Sequence, residues 1–469
     1  MTQTLPPPVP LPEVPRPAPG PPRAYAFPHF ETRVLPNGVR LVVAPVAKLP
    51  LVTVSTVLDA GAMLDPAGKE GVAVLAARAL TEGARGRDGA VITDETERLG
   101  TGLAAGADWD ASRVRMTVLR PHLEAALKLM GDVLLAPDFP AREIERLKGE
   151  RLAELLQRRA EPRGLADEML SRFLYAPGSR YAAPEGGDDG SVSALTRDDV
   201  LAFYRARYAP DRATVIVVGD ISVSEAERLV ASVFGGWRGT GAPAGPAPVA
   251  DRATAGAPGV HIVTKENAPQ SELRIGHVGL ARAVPDYFSV VVMNAILGGL
   301  FSSRINLNLR EAHGYTYGAH STFDWRRGAG PFAVSTAVQR DVTDAAAREI
   351  LLEIARIREA DVAPDELSLA TSFLDGVFPI RYETTTAIAS ALTSLVVYGL
   401  PENYFDTYRD NIRAQTVSTV RAAAQARLHP DRLRLVVVGD PAVLRAPLEA
   451  LELGPVSVYS ERGELLAPQ

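Results

Sequence analysis

The chain has 469 residues, no cysteine and a formal net charge of −6. That length exceeds what one ordinary hydrophobic core organises, so two domains or more are expected. The missing cysteine removes disulfides, thiol nucleophiles and cysteine-ligated metal together, the lack of a basic tract speaks against nucleic acid as a partner, and no continuous apolar run approaches the roughly 18 to 20 residues of a membrane span.

Residues 1–28, MTQTLPPPVPLPEVPRPAPGPPRAYAFP, are dense in proline, which favours extended polyproline II and supplies too little apolar side chain to fold alone. They read as a tail, or as a strap lying on a surface. Neither a charged n-region nor a continuous apolar h-region is present, so the segment is no secretory signal as it stands. A cytoplasmic protein is expected, or a periplasmic one if a signal was removed. From Thr32, TRVLPNGVRLVVAP places the turn Pro36-Asn37-Gly38 between two short apolar runs, hence a hairpin. Leu51 to Leu58 (LVTVSTVL) is a strand broken by Asp59-Ala60-Gly61. Gly71 to Thr81 is an almost wholly apolar, alanine-rich helix of the buried kind. A helix near Thr93 to Leu99, a strand near Arg113 to Leu119, long helices from Pro121 to Leu135 and from Pro140 to Arg159, a helix near Asp198 to Tyr208 and a strand Thr214 to Gly219 complete this part.

The chain then repeats itself. Asp211-Arg212-Ala213-Thr214-Val215-Ile216-Val217-Val218-Gly219-Asp220 recurs as Asp431-Arg432-Leu433-Arg434-Leu435-Val436-Val437-Val438-Gly439-Asp440, and Ala136-Pro137-Asp138 recurs as Ala363-Pro364-Asp365 at nearly the same offset. A domain-sized offset implies duplication rather than a solenoid. Residues 239–259, rich in Gly, Pro and Ala, read as the linker between a domain over 29–238 and a second over 260–469. Helices mixed with hairpin-joined strands give an α+β fold of two duplicated halves, each a mainly antiparallel sheet packed with helices.

The stretch Leu297 to Ala319, LGGLFSSRINLNLREAHGYTYGA, carries the site. Gly298 and Gly299 beside Leu300, Phe301, Ser302 and Ser303 let backbone approach a ligand or another chain, although an ordinary tight connection fits the two glycines equally well. Arg304 to Glu311 can run as a short amphipathic helix with Ile305 and Leu309 on one face, stopped by Gly314. Tyr315 and Tyr317 alternate with Thr316 and Gly318 as at the start of a strand. Arg310 and Tyr317 would then leave a helix end and a strand start and could converge on one cleft, or form a structural stack. The seven histidines include no His-x-x-x-His pair; His313 and His320 flank this stretch, as cleft-lining residues or as plain exposed ones.

From about Phe30 to its end the chain resembles the pitrilysin-type zinc peptidases, the family of mitochondrial processing peptidase, insulin-degrading enzyme and two-subunit bacterial relatives. The resemblance rests on LPNGVRLVV, the paired VVVGD strands and LGGLFSSRINLNLREAHGYTYG, which is similar to the family's glycine-rich loop followed by Leu-Arg-Glu-x-x-Gly-x-x-Tyr. The family's catalysis depends on His-x-x-Glu-His on a helix of the first half and a further Glu about 76 residues on. Here Val74 and Arg78 stand at the histidine positions, Ala77 at the general base, and only Glu154 matches a ligand, reading otherwise as a helix-surface or packing residue. The resemblance therefore implies the non-catalytic, substrate-binding subunit of a heterodimeric zinc metallopeptidase. Such a subunit is inactive alone and holds no cofactor, zinc residing in a homologous partner to whose active site it offers Arg310 and Tyr317. Gly298, Gly299, Leu300, Phe301 and Ser302 would approach the peptide. A structural pseudoenzyme and a peptide-binding homodimer are the rival readings.

Overall fold

The computed structural model describes residues 24–239 and 259–466; most of the proline-rich segment and nearly all of the expected linker lie outside the described residues. Two six-stranded sheets organise the rest. The first runs, edge to edge, Glu31–Val34, Arg40–Pro45, Ala213–Gly219, Leu51–Leu58, Ser112–Leu119, Ala104–Ala107, and the second runs Val456–Tyr459, Gly259–Thr264, Arg434–Gly439, Gln270–Val278, Pro331–Gln339, Ala319–Phe323. Strand for strand these are the same order. The repeated segments Ala213–Gly219 and Arg434–Gly439 each lie beside one parallel and one antiparallel neighbour. Only the outermost strand differs: in the first sheet it arrives through the hairpin at Asn37 and Gly38, with Gly38 at φ +96°, and in the second it is the last strand of the chain, laid parallel.

Both sheets are mixed, and both are covered on two faces. Along Arg40–Pro45, Leu41 and Val43 join one core while Val42 and Ala44 join another. Double burial explains why the central strands read as unbroken apolar runs instead of alternating. The covering helices are exchanged between the halves. Helix Pro162–Leu174 of the first half lies on the second sheet, where Leu165, Ala166, Met169 and Leu170 meet Val263, Val436 and Val438. In return, helix Thr385–Tyr398 of the second half lies on the first sheet, with Thr385 and Thr386 hydrogen bonded to Thr53 at 2.9 and 3.4 Å. The stretch Tyr287–Ala312 has the length and hydropathy of a membrane span, a candidate the sequence reading passed over. Half of its most apolar window is buried inside the fold, and its helix is interrupted at 300–303.

A turn of the second half, Asp324 to Gly330, is inserted against the first. The buried Arg326 guanidinium lies 4.4 Å over Trp109 and 4.5 Å over Tyr181, Tyr175 donates from its hydroxyl to Ala329 O at 2.8 Å, and Arg327 N donates to the Asp110 carboxylate at 3.1 Å. Burial, reinforced by the charge of Asp108, pushes Glu185 up to about 7, and burial pushes Asp110 up to about 6. A carboxyl raised on folding leaves the native state holding more protons than the unfolded chain, so stability is fullest below the unfolded value near 4 and declines as pH rises toward 7. Burial holds His261 and His277 down to about 4, which acts the other way over the same window, so the expectation is differential: Glu185→Gln should shift the slope of unfolding temperature against pH between pH 7.5 and pH 5 by removing the Glu185 share of the gain at low pH. An unchanged slope in the variant would remove Glu185 from the explanation. Below this window the sign reverses, because Arg304 holds Glu366 under the ordinary carboxylate range.

Candidate functional site

The helix Val72–Ala79 begins at Gly71, whose φ of +99° and lack of a side chain are both required, since a Cβ there would stand 2.5 Å from Gly186 O. The Asp65 carboxylate accepts from Gly71 N at 2.7 Å and Ala73 N at 2.9 Å and pairs with Arg180 at 2.8 Å. Its acceptor oxygens satisfy N–H groups that the first turn leaves open. One helical turn apart, Val74 and Arg78 face the long helix Ala141–Ala160 across a small gap lined by Leu147, Lys148 and Arg151. There Arg78 grips Glu154 with both terminal nitrogens, at 2.8 and 3.3 Å, and Arg151 adds a contact at 3.3 Å. Burial works to raise Glu154, but the hydrogen bonds and charge of Arg78 and Arg151 outweigh it and hold the carboxyl below its ordinary range.

These residues do not fit zinc. A metal here needs three ligands, and Val74 has no donor atom, the Arg78 guanidinium offers N–H groups and no lone pair, and both Glu154 oxygens are taken by guanidinium groups. Ala77 is fully buried, so no open space exists for a water-activating carboxylate. Glu154 is a helix-surface residue, its side chain 41% exposed, that pairs with Arg78 and Arg151.

The glycine-rich stretch is built with unusual backbone. Helix Tyr287–Asn294 widens into a π turn over Ala295–Gly299, the chain loops through 300–303, and Arg304–Asn306 passes into a second π segment, Leu307–Ala312. Segments of this kind are often found beside functional sites. Two asparagines fix the loop. Asn294 donates to Ser321 O at 3.0 Å and accepts from the Ser321 hydroxyl at 2.7 Å. Asn306 donates to Phe301 O at 2.6 Å and accepts from Ala319 N at 3.0 Å. A Cβ on Gly298 would fall 2.5 Å from Ser321 Oγ, so this glycine permits the loop to lie against the strand. Ile305 and Leu309 are both fully buried, as their spacing predicts, and Gly314 ends the turn at φ +64°.

The strand starts later than the alternation of Tyr315 and Tyr317 suggests. It begins at Ala319, because Thr316 Oγ1 closes a local turn, donating to Gly318 O at 3.0 Å and accepting from Gly318 N at 3.1 Å. This turn turns Tyr317 out, 92% exposed. Gly298, Gly299, Leu300, Phe301 and Tyr317 line one groove of ≈ 690 Å³. Ser302 is exposed but is not part of its lining. Arg310 does not line the groove either: its guanidinium lies 4.7 Å over the Phe301 ring, with Glu311 at 3.5 Å. Phe301 is therefore the residue that links Arg310 to the groove. His313 and His320 do not form a pair. His313 stacks on Tyr315 at 4.9 Å beside a different groove, and His320 lines the Tyr317 groove. Arg163, Gln270 and Glu272 also line it. Sequence reasoning gave no signal for Arg163, which arrives on the exchanged helix of the other half.

Comparison with known proteins identifies the family. Residues 42–181 match the family model described as insulinase, peptidase family M16, and residues 194–374 match that of the peptidase M16 inactive domain. The chain belongs to the M16 peptidase family. Among M16 relatives, an uncharacterized zinc protease of Mycobacterium tuberculosis is 26% identical over 425 residues, covering 88% of this chain and 93% of its own. One of Streptomyces coelicolor is 23% identical over 393 residues, covering 83% and 85%. The probable mitochondrial-processing peptidase subunit beta of Schizosaccharomyces pombe is 26% identical over 286 residues, covering 58% and 60%. The crystal structure of a peptidase M16 inactive domain from Pseudomonas fluorescens superposes with a TM-score of 0.79 at 28% identity, over 88% of this chain and 98% of that one. A protease from Helicobacter pylori shares the fold at a TM-score of 0.81 and 18% identity, over 88% and 100%.

Proposed function

We propose that this M16 chain is the non-catalytic, substrate-binding subunit of a heterodimeric zinc metallopeptidase. One contrast carries the reading: a guanidinium fills the metal position of the first half, while Tyr317 stands almost fully exposed at the groove of the second. In this reading the zinc resides in a homologous partner chain that has His-x-x-Glu-His. An extended peptide lies between the two chains, close to the backbone of Gly298 to Ser302. Arg310, a planar fork of donors, orients a peptide carbonyl or carboxylate. The Tyr317 hydroxyl donates to the scissile carbonyl as its oxygen gains negative charge, a contact that strengthens toward the transition state.

The test is reconstitution. Sedimentation of the chain alone and mixed with a zinc-bearing M16 homologue is expected to show a 1:1 complex in the mixture, and chelator-sensitive cleavage of fluorogenic peptides only there. A strict monomer in both samples at micromolar concentration defeats the reading, as does chelator-sensitive cleavage by the clean chain alone. A homodimer that binds peptide without cutting it would favour the peptide-binding alternative.

A further inference from the structure

Helix Pro162–Leu174, lent by the first half, covers only part of the second sheet, and the Tyr317 groove opens where it stops. The register sets Glu272 opposite Ala337 and Arg274 opposite Ser335, and Ser335 in turn opposite His320. Residues directly opposite share a face of the sheet, so Glu272, Arg274 and His320 point the same way, toward that helix. Over Arg274 the helix is in place, and the guanidinium donates to Asp167 at 2.6 Å and to Arg163 O at 3.3 Å. Two residues back along the strand, Glu272 lies in the groove with His320 beside it, and Arg163, the second residue of the helix, forms part of the wall.

Arg163 and Glu272 are the only charged side chains of this lining among the described residues, and they are not equally available. Glu272 has a side chain only 11% exposed and accepts from the buried Arg274 at 2.8 Å. The Arg163 side chain is 74% exposed, and its one ion pair among the described residues, to Glu272, spans 3.9 Å. An exposed pair that loose contributes little and leaves the terminal nitrogens of the guanidinium open to a ligand. Burial, with the charges of Arg274 and Arg163, holds His320 below the ordinary histidine range, so it adds no second cation near neutral pH. The charge this groove presents is therefore one guanidinium.

We propose that Arg163 is the specificity residue of the Tyr317 groove and selects peptides that bring a carboxylate to the place where helix Pro162–Leu174 stops. The carboxylate belongs to an aspartate or glutamate side chain or to the peptide's C-terminus, and the guanidinium grips it with two parallel N–H groups. Glu272 stays with Arg274, while a lysine at the same position of the peptide meets like charge. The inference rests on the peptidase-subunit reading and adds which peptides reach the site. It also gives the exchanged helix a task, since the first half then reads a substrate that the second half holds.

The test uses the full chain reconstituted with a zinc-bearing M16 homologue. Fluorogenic peptides carry Asp, Asn or Lys at each position around the scissile bond in turn, each made with a free and with an amidated C-terminus. The expected result is a kcat/KM at least about fivefold higher for Asp than for Asn at one position, or for the free end over the amidated one, carried mainly by KM. The first pattern assigns the carboxylate to a side chain, the second to the terminus. Arg163→Gln should bring either ratio within about twofold of unity, Arg163→Lys should keep part of it, and Arg163→Glu should turn it toward Lys. Because the Arg163 side chain is exposed, all three variants should unfold at the wild-type temperature. Cleavage without any carboxylate preference, or with a preference that survives Arg163→Gln, overturns this inference and leaves the subunit reading standing. A complex that forms but cleaves none of the peptides defeats the subunit reading, and this inference falls with it.

Discussion

Tyr317→Phe, measured in the reconstituted complex with a zinc-bearing partner, is expected to lower kcat by roughly 10- to 1000-fold while the complex still forms. That range corresponds to about 1.4 to 4 kcal/mol of transition-state stabilisation, the usual cost of losing one donor to a developing oxyanion. Tyr317 is almost wholly exposed in the free chain, so the hydroxyl contributes nothing to folding that its removal could take away. Arg310→Ala should raise KM as well as lower kcat, because a guanidinium that orients peptide also acts in the ground state. Size-exclusion profiles must match wild type for either comparison to count. If both variants stay within about twofold of wild type in kcat/KM, the groove does not serve catalysis and a scaffold becomes the better reading.

The second large effect concerns the plugged metal position. Val74→His with Arg78→His places two imidazoles four residues apart on one helical face, opposite a Glu154 carboxylate that already reaches to position 78 at 2.8 Å. Two histidines and one carboxylate form a recognised three-ligand zinc set. The double variant is expected to go from no stoichiometric zinc to about one per chain after dialysis, by elemental analysis, and Glu154→Gln in that background should weaken retention. A folded double variant that still holds none would show that Glu154 is not placed as a ligand. Restoring the base is a different matter. Ala77 is fully buried, and an unpaired carboxylate there has a desolvation cost of several kcal/mol, so adding Ala77→Glu should lower the unfolding temperature.

The duplication was legible because the two central strands are covered on both faces, which writes Val215 to Val218 and Leu435 to Val438 as matching apolar runs. The glycine-rich stretch was legible through Ile305 and Leu309, whose spacing gives the buried side of the turn. Helix exchange was not. The apolar positions of Pro162–Leu174, a helix the sequence reading omitted, report that one side is buried but not which sheet buries it. For the same reason Arg163 could not be foreseen at the groove. The Tyr315 and Tyr317 alternation misled because the Thr316 side chain supplies a local turn that competes with the strand. Glu154 lies at the surface as read, but its pairing with Arg78 was not legible, because the two are 76 residues apart, a distance over which spacing alone has no periodicity to offer.

The exchanged helices also have a consequence for the order in which the protein can be made. When Ala213–Gly219 leaves the ribosome every strand of the first sheet has been synthesised, yet the helix that covers one of its faces, Thr385–Tyr398, has not. Roughly 170 residues remain to be added, on the order of ten to thirty seconds at about 5 to 20 residues per second. Through that interval Val42, Ala44, Ile216 and Val218, buried in the finished molecule, lack the cover of that helix. The first sheet is not fully covered until Thr385–Tyr398 has been made, so the first half does not close as an independent unit. A holding chaperone that shields bare β-sheet is therefore expected to raise the yield of this chain more than that of a protein whose domains close one at a time.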